Sequence, residues 1–474
     1  MMQKLILVDP SINLPDRFGK LARAGSLLPS LGLCSLAAVA RGIGYRVKII
    51  DANLHLSSLP ELVDKIFKEK PSWVGFSATT LTIDLVGEIA EKIKKKSSGV
   101  TVLVGGAHVT AVPRQTLKKY SSIDMGVIGE GEETLKELLK TKNPKKVKGL
   151  VLREGKRLIL TGSRPFLKDL DSLPLPAWDL LPGFPEKYTP SVNSYHHLPA
   201  AHLVTSRGCT GQCLFCDRSV FGRTPRMHSA QRVLEMIDHL IRNYGVKEIQ
   251  FFDDNFLLFP KRLEEICRGL IKSGWGLSWS CQARADMVNP KALSLMKKAG
   301  CWQMGLGIES GSDKILKILK KGETVDLLKK KVEEIARVGI EVKGFFILGN
   351  PGETKETLEQ TRDFILSTDL TYAHTTYFTP FPGSEAFKVA EKFGRLEFKN
   401  IWSKLGRGTI EPVFVPRGLS TVVLKNSAKE IFRKFYFRPK IVYYFLRRIL
   451  LLPRLWPAYF KGLLSVVSFA QNND

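Results

Sequence analysis

Short apolar runs and amphipathic stretches alternate over the first 140 residues. Lys4–Asp9, Arg46–Asp51, Trp73–Ser77, 100–104 and 124–128 are apolar runs of strand length. Between them, 31–41, 60–70 and 82–96 repeat apolar positions at helical spacing. This alternation predicts an α/β fold with a doubly wound, Rossmann-like parallel sheet. The loops that follow the strands, at Asp51, 77–80, 105–108 and 129–132, would line one edge of it. Ligands of open α/β sheets bind at that edge.

The pattern changes at 141–200. A basic run at 142–148 and a short strand pair within 150–160 precede prolines at 165, 174, 176, 182, 185 and 190. This composition reads as a linker laid on the surface. From 201 to 385 the alternation resumes, with strands at 202–206, 248–253, 277–283, 303–309, Glu341–Leu348 and 375–380. Helices such as 229–244 and 260–273 separate them. Six βα units make a partial (β/α)6, TIM-like barrel with its site at the strand carboxyl ends. Residues 386–474 form a basic, aromatic, helical C-terminal region, with helices at 441–452 and 456–470 broken by Pro453 and Pro457.

Chemistry concentrates in one place. Ser206-Arg-Gly-Cys209-Thr-Gly-Gln-Cys213-Leu-Phe-Cys216 sets three cysteines at C-x3-C-x2-C spacing directly after a predicted strand. A loop of this length can wrap three thiolates around one corner of a 4Fe-4S cluster, which leaves one iron open. The alternative is a structural zinc site, but such sites close with four ligands and no fourth Cys or His lies at a matching short spacing. Cys34, Cys267, Cys281 and Cys301 have no cluster spacing and read as buried hydrophobes.

The cysteine motif resembles the signature of the radical S-adenosylmethionine superfamily. The resemblance implies that the open iron chelates S-adenosylmethionine. One-electron reduction then gives a 5′-deoxyadenosyl radical that takes hydrogen from substrate. The N-terminal loops extend the likeness. Asp51-Ala-Asn, Gly75-Phe-Ser77-Ala-Thr79-Thr80, Gly105-Gly106-Ala-His108 and Gly129-Glu130-Gly131-Glu-Glu resemble the cobalamin-binding half of cobalamin-dependent radical enzymes. Glycines there would admit the corrin, and the hydroxyls of Ser77, Thr79 and Thr80 would bond the nucleotide tail. The cobalt-ligating D-x-H-x-x-G motif of cobalamin mutases is missing, since Asp51 and His55 stand four apart. The lower cobalt face should therefore lack a histidine from that loop, and His108 is read as a hydrogen-bonding residue. Downstream, the resemblance places Asp253 and Asp254 at the methionine amine, Arg284 at its carboxylate and Glu309 at the ribose. Read from the residues alone, the aspartates fit a helix N-cap pair equally well, and Arg284 a surface ion pair.

Charge enters last. The chain of 474 residues carries a net charge of +26, and 425–474 hold ten Lys+Arg against two acids, a net of +8. Basicity alone suggests nucleic acid, an anionic membrane surface or an acidic substrate. The family likeness implies a methyltransferase acting on an unactivated carbon of a small-molecule or lipid substrate. Oxidative cyclisation or ring rearrangement is the alternative. RNA modification and a cobalamin sensor rank below both, and nucleic acid is not an expected partner. A flavodoxin or ferredoxin is the expected reductant. With no run of 18 apolar residues and no signal-peptide core, a cytoplasmic protein is expected. The tail either rests on the inner membrane face or caps the barrel.

Overall fold

The computed structural model describes residues 3–10, 26–54, 58–397, 402–451 and 456. His55 and the segment 457–470 lie outside the described residues.

Seven strands form the first sheet: β1 Lys4–Asp9, β2 Arg46–Asp51, β3 Trp73–Ser77, β4 Thr101–Gly105, β5 Met125–Val127, β6 Leu150–Glu154 and β7 Arg157–Leu160. Their order is β2-β1-β3-β4-β5-β6-β7, and the first five run parallel. This is a doubly wound sheet with its switch point between β1 and β3, where ligands bind. β1 is buried almost throughout, as expected of a parallel strand covered on both faces. Ile6 and Val8 pack on one face, Leu5 and Leu7 on the other.

β6 and β7 pair antiparallel beyond β5, so the first sheet extends past residue 140. The proline-rich segment after them is not laid on the surface. Trp178, Tyr188 and Tyr195 are fully buried, and Trp178 and Tyr188 belong to one continuous core with both sheets. The prolines stiffen a segment whose large aromatics supply the burial.

Two short strands, β9 Ser206–Arg207 and β10 Arg226–Met227, form an antiparallel pair flanking the cysteine loop. The second large sheet holds β8 Ala200–Leu203, β11 Glu248–Phe251, β12 Ser278–Ala283, β13 Cys301–Glu309, β14 Glu341–Leu348 and β15 Tyr372–Tyr377. All six are parallel and adjacent in chain order, as in a partial barrel. The helices between them begin and end on local signals. Ser229 Oγ accepts from Arg232 N at the start of Ala230–Tyr244, and Gly245, at φ +61°, ends it.

The amino-terminal end of the barrel is closed. A helical turn at Val192–Ser194 lies across it, and Gln303 Nε2 donates to Asn193 O at 3.1 Å. Glu248 accepts from His196 N and His197 N at 2.7 and 2.9 Å. The helix Pro439–Leu451 then sends Arg448 inward to Tyr195 O and Tyr372 Oη, both at 2.8 Å. The tail helix therefore caps the barrel floor.

Candidate functional site

The cysteine loop is rooted by carboxylates. Asp253 accepts from Thr205 N at 2.5 Å and from the Thr205 and Ser206 hydroxyls at 2.7 Å each. Arg262 stands 3.9 Å away, and burial raises the Asp253 carboxyl while Arg262 opposes it. Asp254 accepts from Gly208 N at 3.1 Å. Both aspartates thus tie the end of β11 to the turn that launches Cys209. Gly208 adopts φ +89°, and a Cβ there would stand 3.0 Å from two backbone oxygens.

Cys213 is buried, while Cys209 and Cys216 are partly exposed. Gly211 N donates to Cys209 Sγ at 3.4 Å. A Cβ on Gly211 would lie 3.3 Å from Arg284 Nη1 and 3.4 Å from Cys209 Sγ, so glycine lets the loop close over the thiols. Arg284 Nη1 lies 3.6 Å from Cys213 Sγ and is held by Asp286 and by Lys321 O at 2.8 Å. A hydrogen bond from Cys216 pulls the Cys213 thiol below its ordinary value against burial, with help from Lys321 and Arg284. The Cys216 thiol is raised by the same bond and by burial.

Glu309 ends β13 with a left-handed φ of +68°. Its carboxylate folds back over Gly307, where a Cβ would lie 2.6 Å from Glu309 Oε1. Lys321 Nζ sits 3.5 Å from Glu309 and 3.3 Å from Glu323. Burial raises the Glu309 carboxyl and Lys321 opposes this. The fold thus gathers the thiols, Arg284 and Glu309 around one point at the strand ends. Among the described residues no three His, Cys, Asp or Glu side chains converge on a single metal ion. Three thiols gathered on one short loop suit separate irons of a cluster, and the nearby cations Arg284 and Lys321 offset thiolate charge.

The other edge belongs to the first sheet. Ser77 ends β3 half-buried, and Thr79 Oγ1 accepts from Leu81 N at 3.3 Å. Thr80 Oγ1 lies 3.1 Å from His108 Nδ1. His108 is buried, its ring 5.1 Å edge-on to Trp402, and among the described residues its Nε2 has no partner. Burial lowers its pKa to about 4, so it is neutral. Gly106, at φ +101°, packs where a Cβ would meet Ala78 O at 2.6 Å, and Gly105 O accepts from Ala78 N at 2.8 Å. Gly129 (φ +77°) borders open space, and Gly131 caps the helix Glu132–Lys140. An orphaned imidazole nitrogen, free space at Gly129 and hydroxyls at the β3 end suit an amide-rich ligand such as cobalamin.

Glu130 faces elsewhere. Its oxygens take Arg226 Nη1 at 2.8 Å, Arg207 Nη1 at 2.9 Å and Leu167 N at 2.9 Å. Glu132 takes Arg207 Nη2 at 2.6 Å and Ser35 Oγ at 3.0 Å. These carboxylates clamp the carboxyl edge of the first sheet to the cysteine loop of the second. Sequence reasoning assigned no role to Arg207, Arg226, Glu132, Lys321 or Glu323. Arg207 stands two before Cys209, which was a usable signal, whereas Lys320-Lys321-Gly-Glu323 reads as a solvated turn.

Comparison with known proteins matches these two halves. The model of the B12 binding domain covers residues 20–139, and that of the radical SAM superfamily covers 203–365. An uncharacterized methyltransferase of Pyrococcus horikoshii is 34% identical over 446 residues, 93% of this chain and 94% of its own. The anaerobic magnesium-protoporphyrin IX monomethyl ester cyclase of Cereibacter sphaeroides is 27% identical over 437 residues, covering 89% and 69%. The cobalamin-dependent S-adenosylmethionine radical enzyme OxsB, solved with aqua-cobalamin and S-adenosylmethionine, shares the fold at a TM-score of 0.73 and 18% identity, over 92% of this chain and 67% of that one. The chain belongs to the cobalamin-dependent radical S-adenosylmethionine enzymes, whose cofactors are a 4Fe-4S cluster, S-adenosylmethionine and cobalamin.

Proposed function

We propose that the chain methylates an unactivated carbon of a small molecule. The observation that carries this reading is the Glu130/Glu132 to Arg207/Arg226 clamp, which brings the cobalamin edge and the cysteine loop together. When bound, the cluster supplies the electron that cleaves S-adenosylmethionine, and cobalamin supplies the methyl group. Cys209, Cys213 and Cys216 hold three irons. Arg284 pairs with the methionine carboxylate and Glu309 accepts from the ribose hydroxyls. Asp253 and Glu130 position these groups rather than touch cofactor, because both oxygens of each are already engaged, whereas Asp254 gives one oxygen to Gly208 N and keeps its place at the methionine amine. Ser77, Thr79, Thr80, Gly105, Gly106, His108, Gly129 and Gly131 line the cobalamin edge.

The test is anaerobic turnover with S-adenosylmethionine bearing a trideuterated methyl group. A product gaining that labelled methyl supports methylation. An oxidised product without label favours the cyclase reading, which the Cereibacter relative motivates. A flavodoxin or ferredoxin is the reductant in this scheme.

A peripheral membrane contact is proposed for the tail. No helix among the described residues is long and apolar enough to cross a membrane. The outer face of Pro439–Leu451 nevertheless exposes Tyr443 (68%), Leu446 (55%) and Leu450 (74%) beside Lys440 and Arg447. Apolar residues flanked by cations suit an anionic lipid surface.

A further inference from the structure

The barrel lumen is open above its floor. Along β14 exposure alternates: Val342, Gly344, Phe346 and Leu348 face the helices and are buried, whereas Glu341, Lys343, Phe345 and Ile347 keep partial exposure. Gln282 of β12, one residue beyond its ladder with β11 and in register with Gly305 of β13, is exposed. His374, in register with Phe345, is exposed too. Helices cover the outer face of a parallel sheet, so such side chains meet water through the lumen.

Lys343 stands in that lumen. It is in register with Gly305 of β13 and Tyr372 of β15. Its Nζ lies 3.4 Å from Ser194 Oγ on the floor turn and 5.4 Å from the Phe345 ring centroid. Among the described residues no carboxylate pairs with it. Glu341, on the same face two residues earlier, is committed to Tyr444 Oη at 2.6 Å and Arg448 Nη1 at 3.4 Å. Burial, uncompensated by any acid, pulls the ammonium down to about 8. One layer below, His202 Nδ1 and Gln250 Oε1 are buried without a partner among the described residues. An ammonium held deep with no counter-charge is costly to the folded state, and an incoming oxyanion would offset that cost.

We propose that Lys343 anchors an anionic group of the substrate, a carboxylate or a phosphoryl. The substrate lies lengthwise in the lumen with its reacting carbon toward the cysteine loop. Glu309 is four residues beyond Gly305 on β13. At about 3.3 Å per residue, the anchored group and the reacting end stand on the order of 10 Å apart. This rests on the methyl-transfer reading.

Reconstituted holoenzyme tests it. A metabolite extract is split on anion-exchange resin into neutral, carboxylate and phosphorylated pools, and each is incubated with trideuteromethyl S-adenosylmethionine. Labelled product is expected from one of the two anionic pools, and the pool identifies the group. Lys343→Met is expected to cut its formation at least tenfold with a raised KM, and Lys343→Arg to restore most of it. Lys343→Met is also expected to raise Tm, since a half-buried cation without a counter-charge is gone, whereas a structural lysine would leave a lower Tm. Product from the neutral pool, full methylation by Lys343→Met or a lowered Tm would each overturn the proposal. Failure of the wild type to move the labelled methyl group onto added cobalamin would count against methyl transfer alone, and the Tm comparison still judges Lys343.

Discussion

Arg207 Nη2 lies 2.6 Å from Glu132 Oε1, and this buried pair couples the residue two before the first cysteine to the last loop of the cobalamin edge. The same guanidinium reaches Glu130 at 2.9 Å. One side chain therefore bridges two carboxylates, a geometry that a lysine cannot reproduce. Arg207→Met is expected to cost about 3–5 kcal/mol, because it strands the buried Glu132 carboxylate, while Glu130 keeps Arg226. Urea unfolding would measure this, and Arg207→Lys should recover only part of it. Burial alone would raise the Glu132 carboxyl, but Arg207 outweighs it and holds the group below its ordinary value. The pair is thus fully stabilising above the unfolded carboxylate pKa of about 4.3. Its contribution fades only as pH falls through the depressed folded value. Cobalamin retention should track this loss.

Replacing any of Cys209, Cys213 or Cys216 by alanine is expected to lower bound iron and abolish reductive cleavage of S-adenosylmethionine. Cys281→Ser and Cys301→Ser should keep the iron, since both thiols are buried in strands of the barrel wall. Iron and sulfide assays on anaerobically reconstituted protein separate the two sets. Equal iron in Cys213→Ala and wild type would remove the cluster assignment.

The cysteine motif was legible because its ligands are local, within eight residues of one loop. The strands were legible because a buried parallel strand reads as an apolar run: all six barrel strands were anticipated to within three residues at each end. The first, β8, starts and ends earlier than its apolar run because Thr205 and Ser206 leave the ladder to bind Asp253. The roles of single acids were not legible. Glu130 is spoken for by Arg226, 96 residues away, and Asp253 by Thr205, 48 residues away. Nothing near either acid in sequence announces those partners. Lys321 hid for the opposite reason: its neighbours are charged, so only the fold shows it buried between Glu309 and Glu323.

His108 gives a pH signature. Its folded pKa of about 4 lies below the ordinary histidine value of about 6.5, with burial as the cause. Between those values the unfolded chain binds more protons than the folded one, so stability rises with pH there and is complete above about 6.5. The contribution is on the order of 3 kcal/mol at about 1.4 kcal/mol per unit. His108→Gln should flatten this part of a pH–stability profile, leaving the slopes of the half-buried His196 and the buried His202. If cobalamin binds against this ring it would keep the imidazole out of water, and the holoenzyme should then show the slope at least as strongly as the apoprotein. A His108→Gln profile superimposable on wild type would mean that the ring protonates freely when folded.

The two faces of the helix Pro439–Leu451 should separate under mutation. Its inner face carries Arg448, bonded to Tyr195 O, Tyr372 and Tyr444 and within 3.4 Å of Glu341. Arg448→Met leaves Glu341 without its cation on the barrel floor, and a loss of about 3–5 kcal/mol is expected in urea unfolding. Its outer face carries Leu446 and Leu450, exposed at 55% and 74%. Changing both to serine removes no packing, so stability should shift by no more than about 0.5 kcal/mol per site. If that face rests on lipid, the double variant loses sedimentation with anionic vesicles while Arg448→Met, where folded, keeps it. The interaction should also weaken with salt, because Lys440 and Arg447 act across solvent at a Debye length of about 10 Å in 0.1 M salt. Sedimentation indifferent to both the leucines and salt would leave the helix with its structural task alone, closing the end of the barrel opposite the cysteines.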